Sequence, residues 1–128
     1  MSDDLYDRGM AARKAVLGEE YVARAEANKT DFDADWQRYV CEHAWAAVWA
    51  RPGLAKNIRS MLTIAMLASL GKHEELALHI RASRNTGVSQ DEVKEVLLQV
   101  AVYAGAPAAN SAFAIAKRVY NELESEGK

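Results

Sequence analysis

Two stretches of this chain leave no room for a polar helix face. Met61–Leu70 and Val96–Ala109 are apolar nearly all the way round at helical spacing. A helix of that kind has to be covered on every side. One account makes each a central core helix. The other sets its outer face against a second subunit. Surrounding two such helices with one chain of 128 residues is difficult, which favours the subunit interface, and the alanine-rich faces would let helices approach closely. Met61–Leu70 is also about half the length of a membrane span, so no membrane segment is expected.

Half of the residues are hydrophobic, enough for a real core without disulfide or metal staples. The length fits one domain, residues 1–128. Sixteen basic and 18 acidic residues are well mixed, for a net charge of −2. Nucleic-acid binding, which favours a basic excess or stripe, is therefore not expected. Cys41 is the single cysteine, so no internal disulfide can form and a reducing compartment is implied. The acidic start, Met1-Ser2-Asp3-Asp4, lacks the apolar segment of a signal peptide. These features together predict a soluble cytoplasmic protein.

Strand alternation is weak and alanine abundant, so the chain reads as all-helical, with its seven glycines and two prolines at element boundaries. Helices are expected over Leu5–Leu17 and Glu19–Ala27. A third, capped by Thr30, runs from Asp31 to Ala50 and stops at Pro52-Gly53. A fourth spans Leu54–Leu70, with an apolar stripe of Leu54, Ile58, Met61, Leu62, Ala65 and Ser69. The fifth, His73–Asn85, closes on Gly87. Ser89 and Glu92 form a capping box for the sixth, which reaches Ala104. Pro107 suits the first turn of the seventh, which frays near Glu124. The fold class is a compact bundle of six to seven helices.

Charged and aromatic groups among these helices suggest chemistry. Glu75 and His79 lie four apart on one face. A carboxylate there can fix the imidazole tautomer and raise its pKa, giving a proton-transfer pair; a solvated surface pair has the same spacing. Arg51 and Arg59 flank the start of the fourth helix, and a guanidinium grips carboxylates with two parallel bonds. Either could equally serve a helix end or a surface ion pair. Arg59 sits beside the apolar stripe, where an unpaired charge is costly. Glu42, Trp45 and Trp49 fall at i, i+3, i+7, so the indoles can form a flat wall or simply pack in the core. Trp36 is expected in the core or an interface. Tyr103 ends its helix, where its hydroxyl could enter a cavity or pack in the core. His43, His73 and His79 are dispersed and lack metal-ligand spacing. No glycine loop for phosphates is present, so neither metal nor cofactor is expected.

In order along the chain, Trp45-Ala46-Ala47-Val48-Trp49-Ala50-Arg51-Pro52-Gly53-Leu54, Arg59-Ser60, Glu75-Leu76-Ala77-Leu78-His79, Gly87-Val88, Glu95-Val96-Leu97-Leu98-Gln99 and Tyr103-Ala104-Gly105-Ala106-Pro107-Ala108-Ala109 resemble the carboxymuconolactone decarboxylase family. The ordered set covers nearly the whole chain and is specific, although each piece alone is weak. The resemblance implies the all-helical fold shared with alkylhydroperoxidase D-like proteins, and a homo-oligomer, usually a hexamer. Peroxidase relatives carry Cys-x-x-Cys-x-x-x-His. Here that stretch reads Lys72-His73-Glu74-Glu75-Leu76-Ala77-Leu78-His79 and keeps only the histidine. Position 46, often glycine in such decarboxylases, is alanine, which either narrows a pocket or has no consequence.

The resemblance implies loss of CO2 from γ-carboxymuconolactone, a lactone with two carboxylates, to give β-ketoadipate enol-lactone in protocatechuate catabolism. The bond-breaking electrons enter a system conjugated to the lactone carbonyl, so the substrate is its own electron sink. The protein must stabilise the dienolate oxygen and protonate the adjacent ring carbon. On this reading His79 donates the proton and Glu75 orients it. Arg51 and Arg59 hold negative charge, while Glu42, Trp45, Trp49 and Tyr103 contact substrate. The alternatives are a peroxidase-like or other lactone-acting paralogue, and a non-catalytic oligomer that binds small anions.

Overall fold

Local chemistry at the helix ends sets the element order. Gly87 takes a left-handed conformation (φ 83°) where one helix stops, a geometry that costs glycine nothing. Two residues on, the Ser89 hydroxyl accepts from the Glu92 backbone N–H at 3.0 Å. The Glu92 carboxylate accepts from the Ser89 N–H at 2.9 Å, completing the expected capping box. Pro107 stands in the first turn of the last helix, as expected. The structure, a computed structural model, describes residues 2–128, with side chains from residue 4 onward. Met1, where the signal-peptide reading begins, lies outside them. All regular structure among the described residues is helical: α1 (Ser2–Leu17), α2 (Glu19–Ala27), α3 (Ala34–Val40), a π-helix (Cys41–Trp49), α4 (Lys56–Leu70), α5 (His73–Thr86), α6 (Gln90–Tyr103) and α7 (Ala106–Ser125). None of these helices is long and apolar enough to cross a membrane. Packing divides the chain into two units, Met1–Lys56 and Asn57–Lys128.

In the first unit α1 packs on the π-helix. Gly9 is therefore no boundary residue, as its composition class suggested, but a buried position in the middle of α1. A Cβ there would overlap the Cys41 carbonyl oxygen and lie 2.9 Å from Cys41 Sγ. The single expected helix from Asp31 to Ala50 differs in two ways. Thr30 does not cap it: the Thr30 backbone N–H instead donates to the Asp33 carboxylate at 2.9 Å, and α3 starts only after that turn. From Cys41 the helix widens to π geometry, with Ala50 N donating to Trp45 O at 2.9 Å. Arg13, nearly buried on α1, pairs with Glu26 of α2 at 3.2 Å, and Lys29 Nζ reaches the same carboxylate at 3.0 Å. Burial pushes the Glu26 pKa up, but the Lys29 and Arg13 hydrogen bonds outweigh it and hold the carboxyl below its ordinary value.

The second unit is built on one apolar cluster, including Ile64 and Ala68 of α4, Leu76 and Ile80 of α5, Val93 and Leu97 of α6, and Ala112, Ala116 and Val119 of α7. The buried row of α4 is Ser60, Ile64 and Ala68. The expected stripe lies on another face: Ile58, Met61, Leu62, Ala65 and Ser69 line a groove of about 310 Å³ shared with Val96, Gln99, Val100 and Tyr103 of α6. Neither apolar helix is enclosed within this chain. Leu62, Met66 and Leu70 on α4 and Leu98 and Val102 on α6 are exposed, so the central-core-helix account fails on those faces. Arg81 of α5 holds Glu126, just beyond α7, by two bonds of 2.8 and 2.9 Å. That pairing sets the Glu126 pKa well below the usual carboxylate range, at about 2.

Gly9→Ala decides between opposing effects. Alanine would gain up to about 1 kcal/mol in helix propensity, whereas overpacking costs about 1–3 kcal/mol. The variant is expected to be less stable in urea denaturation. An unchanged or higher midpoint would contradict the α1–Cys41 contact.

Candidate functional site

The candidate residues fall in both units. In the first, the π-helix carries Glu42, Trp45 and Trp49. Bonds spaced i→i+5 widen each turn, so residues four apart stay almost over one another. Trp45 and Trp49 accordingly stack, with ring centroids 5.3 Å apart and planes 29° apart. Trp45 is buried in the core and Trp49 half-buried. The two indoles thus share one face and stack, and Trp45 also packs in the core. Glu42 is committed to Arg38 one turn earlier, at 3.4 Å, and Arg38 also lies over the Tyr6 ring at 5.0 Å. Arg51 is exposed beyond the π-helix and joins no ion pair among the described residues. Trp36 is 61 % exposed, so it is not core; it stacks on Tyr39 at 5.9 Å, and Tyr39 meets His43 at 4.5 Å. Ala46, the departure from glycine, is buried.

Cys41 opens the π-helix and is 2 % exposed. Its Sγ donates to the Tyr6 carbonyl at 3.4 Å, and burial pushes the thiol pKa up. Thiol chemistry requires the opposite, an exposed cysteine with a depressed pKa. Cys41 behaves as a small hydrophobe.

In the second unit His79 is half-buried on α5, flanked along the core row by the fully buried Leu76 and Ile80. Glu75, one turn earlier, is exposed. Burial lowers the His79 pKa to about 4 against the opposing pull of Glu75. The sequence reading has the carboxylate raising that pKa; Glu75 does act in that direction, but desolvation wins. The unliganded imidazole is therefore neutral at pH 7. Arg59, on α4, is half-buried, and its Nε is enclosed without a hydrogen-bond partner among the described residues. Tyr103 is 84 % exposed at the end of α6, where it borders the α4–α6 groove rather than filling a cavity or the core.

Sequence reasoning missed Ser60. It is completely buried, and its Oγ has no hydrogen-bond partner among the described residues. The i, i+4, i+8 row Ser60-Ile64-Ala68 could have placed it on the core face. The more hydrophobic Ile58-Leu62-Met66 row hid that signal. Among the described residues, no cluster of three or more His, Cys, Asp or Glu side chains could hold a metal ion.

The sequence profile of the carboxymuconolactone decarboxylase family matches residues 34–118. Over 118 residues the chain is 45 % identical to the 4-carboxymuconolactone decarboxylase of Acinetobacter baylyi, covering 92 % of this chain and 88 % of the relative. It is 39 % identical over 124 residues to the nitrosuccinic acid decarboxylase of Metarhizium robertsii, covering 97 % of this chain and 87 % of that one. A 4-carboxymuconolactone decarboxylase of Pseudomonas putida is 41 % identical over 39 residues, which is 30 % of this chain and 81 % of the relative. Both the profile and these long matches run through the π-helix and the α5 histidine, and so the chain belongs to the carboxymuconolactone decarboxylase family.

Proposed function

We propose that this protein is a cofactor-independent carboxy-lyase that converts γ-carboxymuconolactone to β-ketoadipate enol-lactone and CO2 in protocatechuate catabolism. The observation that carries this reading is the similarity, along nine-tenths of the chain, to a relative of that name. The chemistry suits the side chains. Breaking the bond to the ring carboxylate releases CO2 and sends its electron pair into the unsaturated lactone. A dienolate forms, and one proton delivered to the carbon beside the lactone carbonyl completes the product. The buried thiol cannot supply peroxidase chemistry, which disfavours that paralogue.

His79 is the proton donor and Glu75 its positioning partner. Burial keeps the free imidazole neutral, so the proton must arrive with the substrate. The dianion's charge opposes the desolvation and raises the pKa of His79 in the complex. Arg51 and Arg59 supply cationic charge. A tight grip on the departing carboxylate would stabilise the ground state and slow the reaction. At least one arginine therefore serves the retained carboxylate or the dienolate oxygen. Trp45, Trp49, Glu42 and Tyr103 are proposed substrate contacts.

A second reading rests on the nitrosuccinic acid decarboxylase relative. Nitrosuccinate also carries two carboxylates, and its nitro group can accept the electron pair as a nitronate. The same proton delivery would serve, so this substrate is the natural comparison in an assay. We further propose a cytoplasmic homo-oligomer, probed as a hexamer, covering the exposed Leu62, Met66 and Leu70 face of α4.

Incubating the protein with γ-carboxymuconolactone should release CO2 and form the enol-lactone; absence of release at high enzyme concentration would refute the lyase reading. His79→Ala should lower kcat about 10²–10⁴-fold. Near-normal turnover would remove His79 from the reaction. The pH profiles give a separate check, because kcat/KM reports the free enzyme and kcat the complex. The protonated imidazole is lost above its pKa, so the basic limb of kcat/KM should begin near pH 4 and that of kcat at distinctly higher pH. Coincident limbs would rule out proton uptake with substrate.

Arg51→Ala and Arg59→Ala should each weaken turnover, and if neither changes KM or kcat the anion-binding roles are wrong. In sedimentation, Leu62→Asp combined with Met66→Asp should break the oligomer into smaller species. A wild-type monomer at micromolar concentration would contradict the proposed assembly.

A further inference from the structure

Ser60 is the one completely buried polar side chain in the second unit whose hydroxyl lacks a partner. That is unusual for a helical serine. A hydroxyl within a helix readily bonds back to the carbonyl one turn earlier, and others here do so. Thr63 Oγ1 donates to Arg59 O at 2.8 Å, Ser69 Oγ to Ala65 O at 2.8 Å, and Ser125 Oγ to Asn121 O at 3.1 Å. Ser83, the other buried serine of this unit, donates to Ile80 O at 2.6 Å. Ser60 alone among these forgoes the bond while sitting in the apolar row with Ile64 and Ala68. The preceding residue contributes a second enclosed donor without a partner, Arg59 Nε.

Buried donors left unmatched are destabilising, and alanine would fill the Ser60 position without that penalty. Two such donors on consecutive residues, in a family whose reaction creates an oxyanion, fit an acceptor site for that oxygen. Both are enclosed and lack a hydrogen-bond partner among the described residues. We propose that Ser60 Oγ–H, together with Arg59 Nε–H, takes the lactone oxygen as it becomes the dienolate oxygen. This proposal rests on the decarboxylase reading above. Both atoms are closed to solvent in the unliganded chain, so the oxygen meets them as side chains rearrange around bound substrate. Ser60 then strengthens its contact as charge develops, which acts on kcat rather than on KM.

Ser60→Ala tests the proposal, because function and stability should move in opposite directions. Its kcat should fall about a hundredfold with KM within about twofold, while its urea midpoint stays level or rises. Ser125→Ala, which removes an exposed back-bonded hydroxyl, should change neither. Unchanged turnover in a folded Ser60→Ala protein would overturn the proposal. So would a lower urea midpoint with turnover falling in step, since the hydroxyl would then be a structural group. Binding of the saturated lactone dicarboxylate, measured by calorimetry, should be nearly equal in wild type and Ser60→Ala; a large loss would place Ser60 on ground-state binding and overturn the oxyanion role. If wild type itself releases no CO2, the decarboxylase reading fails, a result distinct from any behaviour of the variant.

Discussion

Desolvation of one imidazole is the constraint on which the reaction proposed for the second unit depends. Leu76 and Ile80 are fully buried, and they hold α5 so that His79 lies partly inside the apolar layer. The arrangement opposes the charge that a proton donor needs. Glu75, one turn away but in solvent, offsets only part of that opposition. On the proposed reading, such a site would respond strongly to the charge of whatever binds it. A neutral ligand leaves the imidazole neutral, while a dianion shifts the balance. In the proposed reaction, selectivity for doubly charged substrates would then arise from protonation as well as from direct contacts.

The two rows of α4 illustrate a related division of labour. Ile64 and Ala68 give the helix its place in the core. Leu62, Met66 and Leu70 remain exposed, a quarter-turn or more away. A helix apolar on both faces can be fixed by its own chain on only one of them. The charged groups of α4, Lys56 and Arg59, fall near the helix start beside Ser60, before the exposed apolar face extends towards Leu70.

Much of the fold was legible because helix ends depend on local chemistry. The Ser89/Glu92 box, the left-handed Gly87 and Pro107 act within a few residues, and sequence spacing reveals them directly. The π-helix was not legible. Cys41–Trp49 reads as ordinary α-helix, since nothing in its composition distinguishes i→i+4 from i→i+5 bonding. Gly9 was misread for a similar reason, because its purpose lies in a neighbour 32 positions later, Cys41. At the candidate site, spacing correctly placed Glu75 and His79 on one helix, but the sign of the pKa shift depended on burial. The commitment of Glu42 to Arg38 and the exposure of Trp36 and Tyr103 are likewise set by tertiary packing. Ser60 escaped notice because its significance lies in a missing bond.

The seal over Cys41 has a practical consequence. The thiol is enclosed by its own helix, the Tyr6 carbonyl and the Gly9 face of α1. A thiol reagent can meet it only when α1 lifts from the π-helix. With one cysteine in the whole chain, the labelling rate becomes a single-site clock for that opening. The native sequence thus carries its own probe of breathing in the first unit, with no label engineered into it.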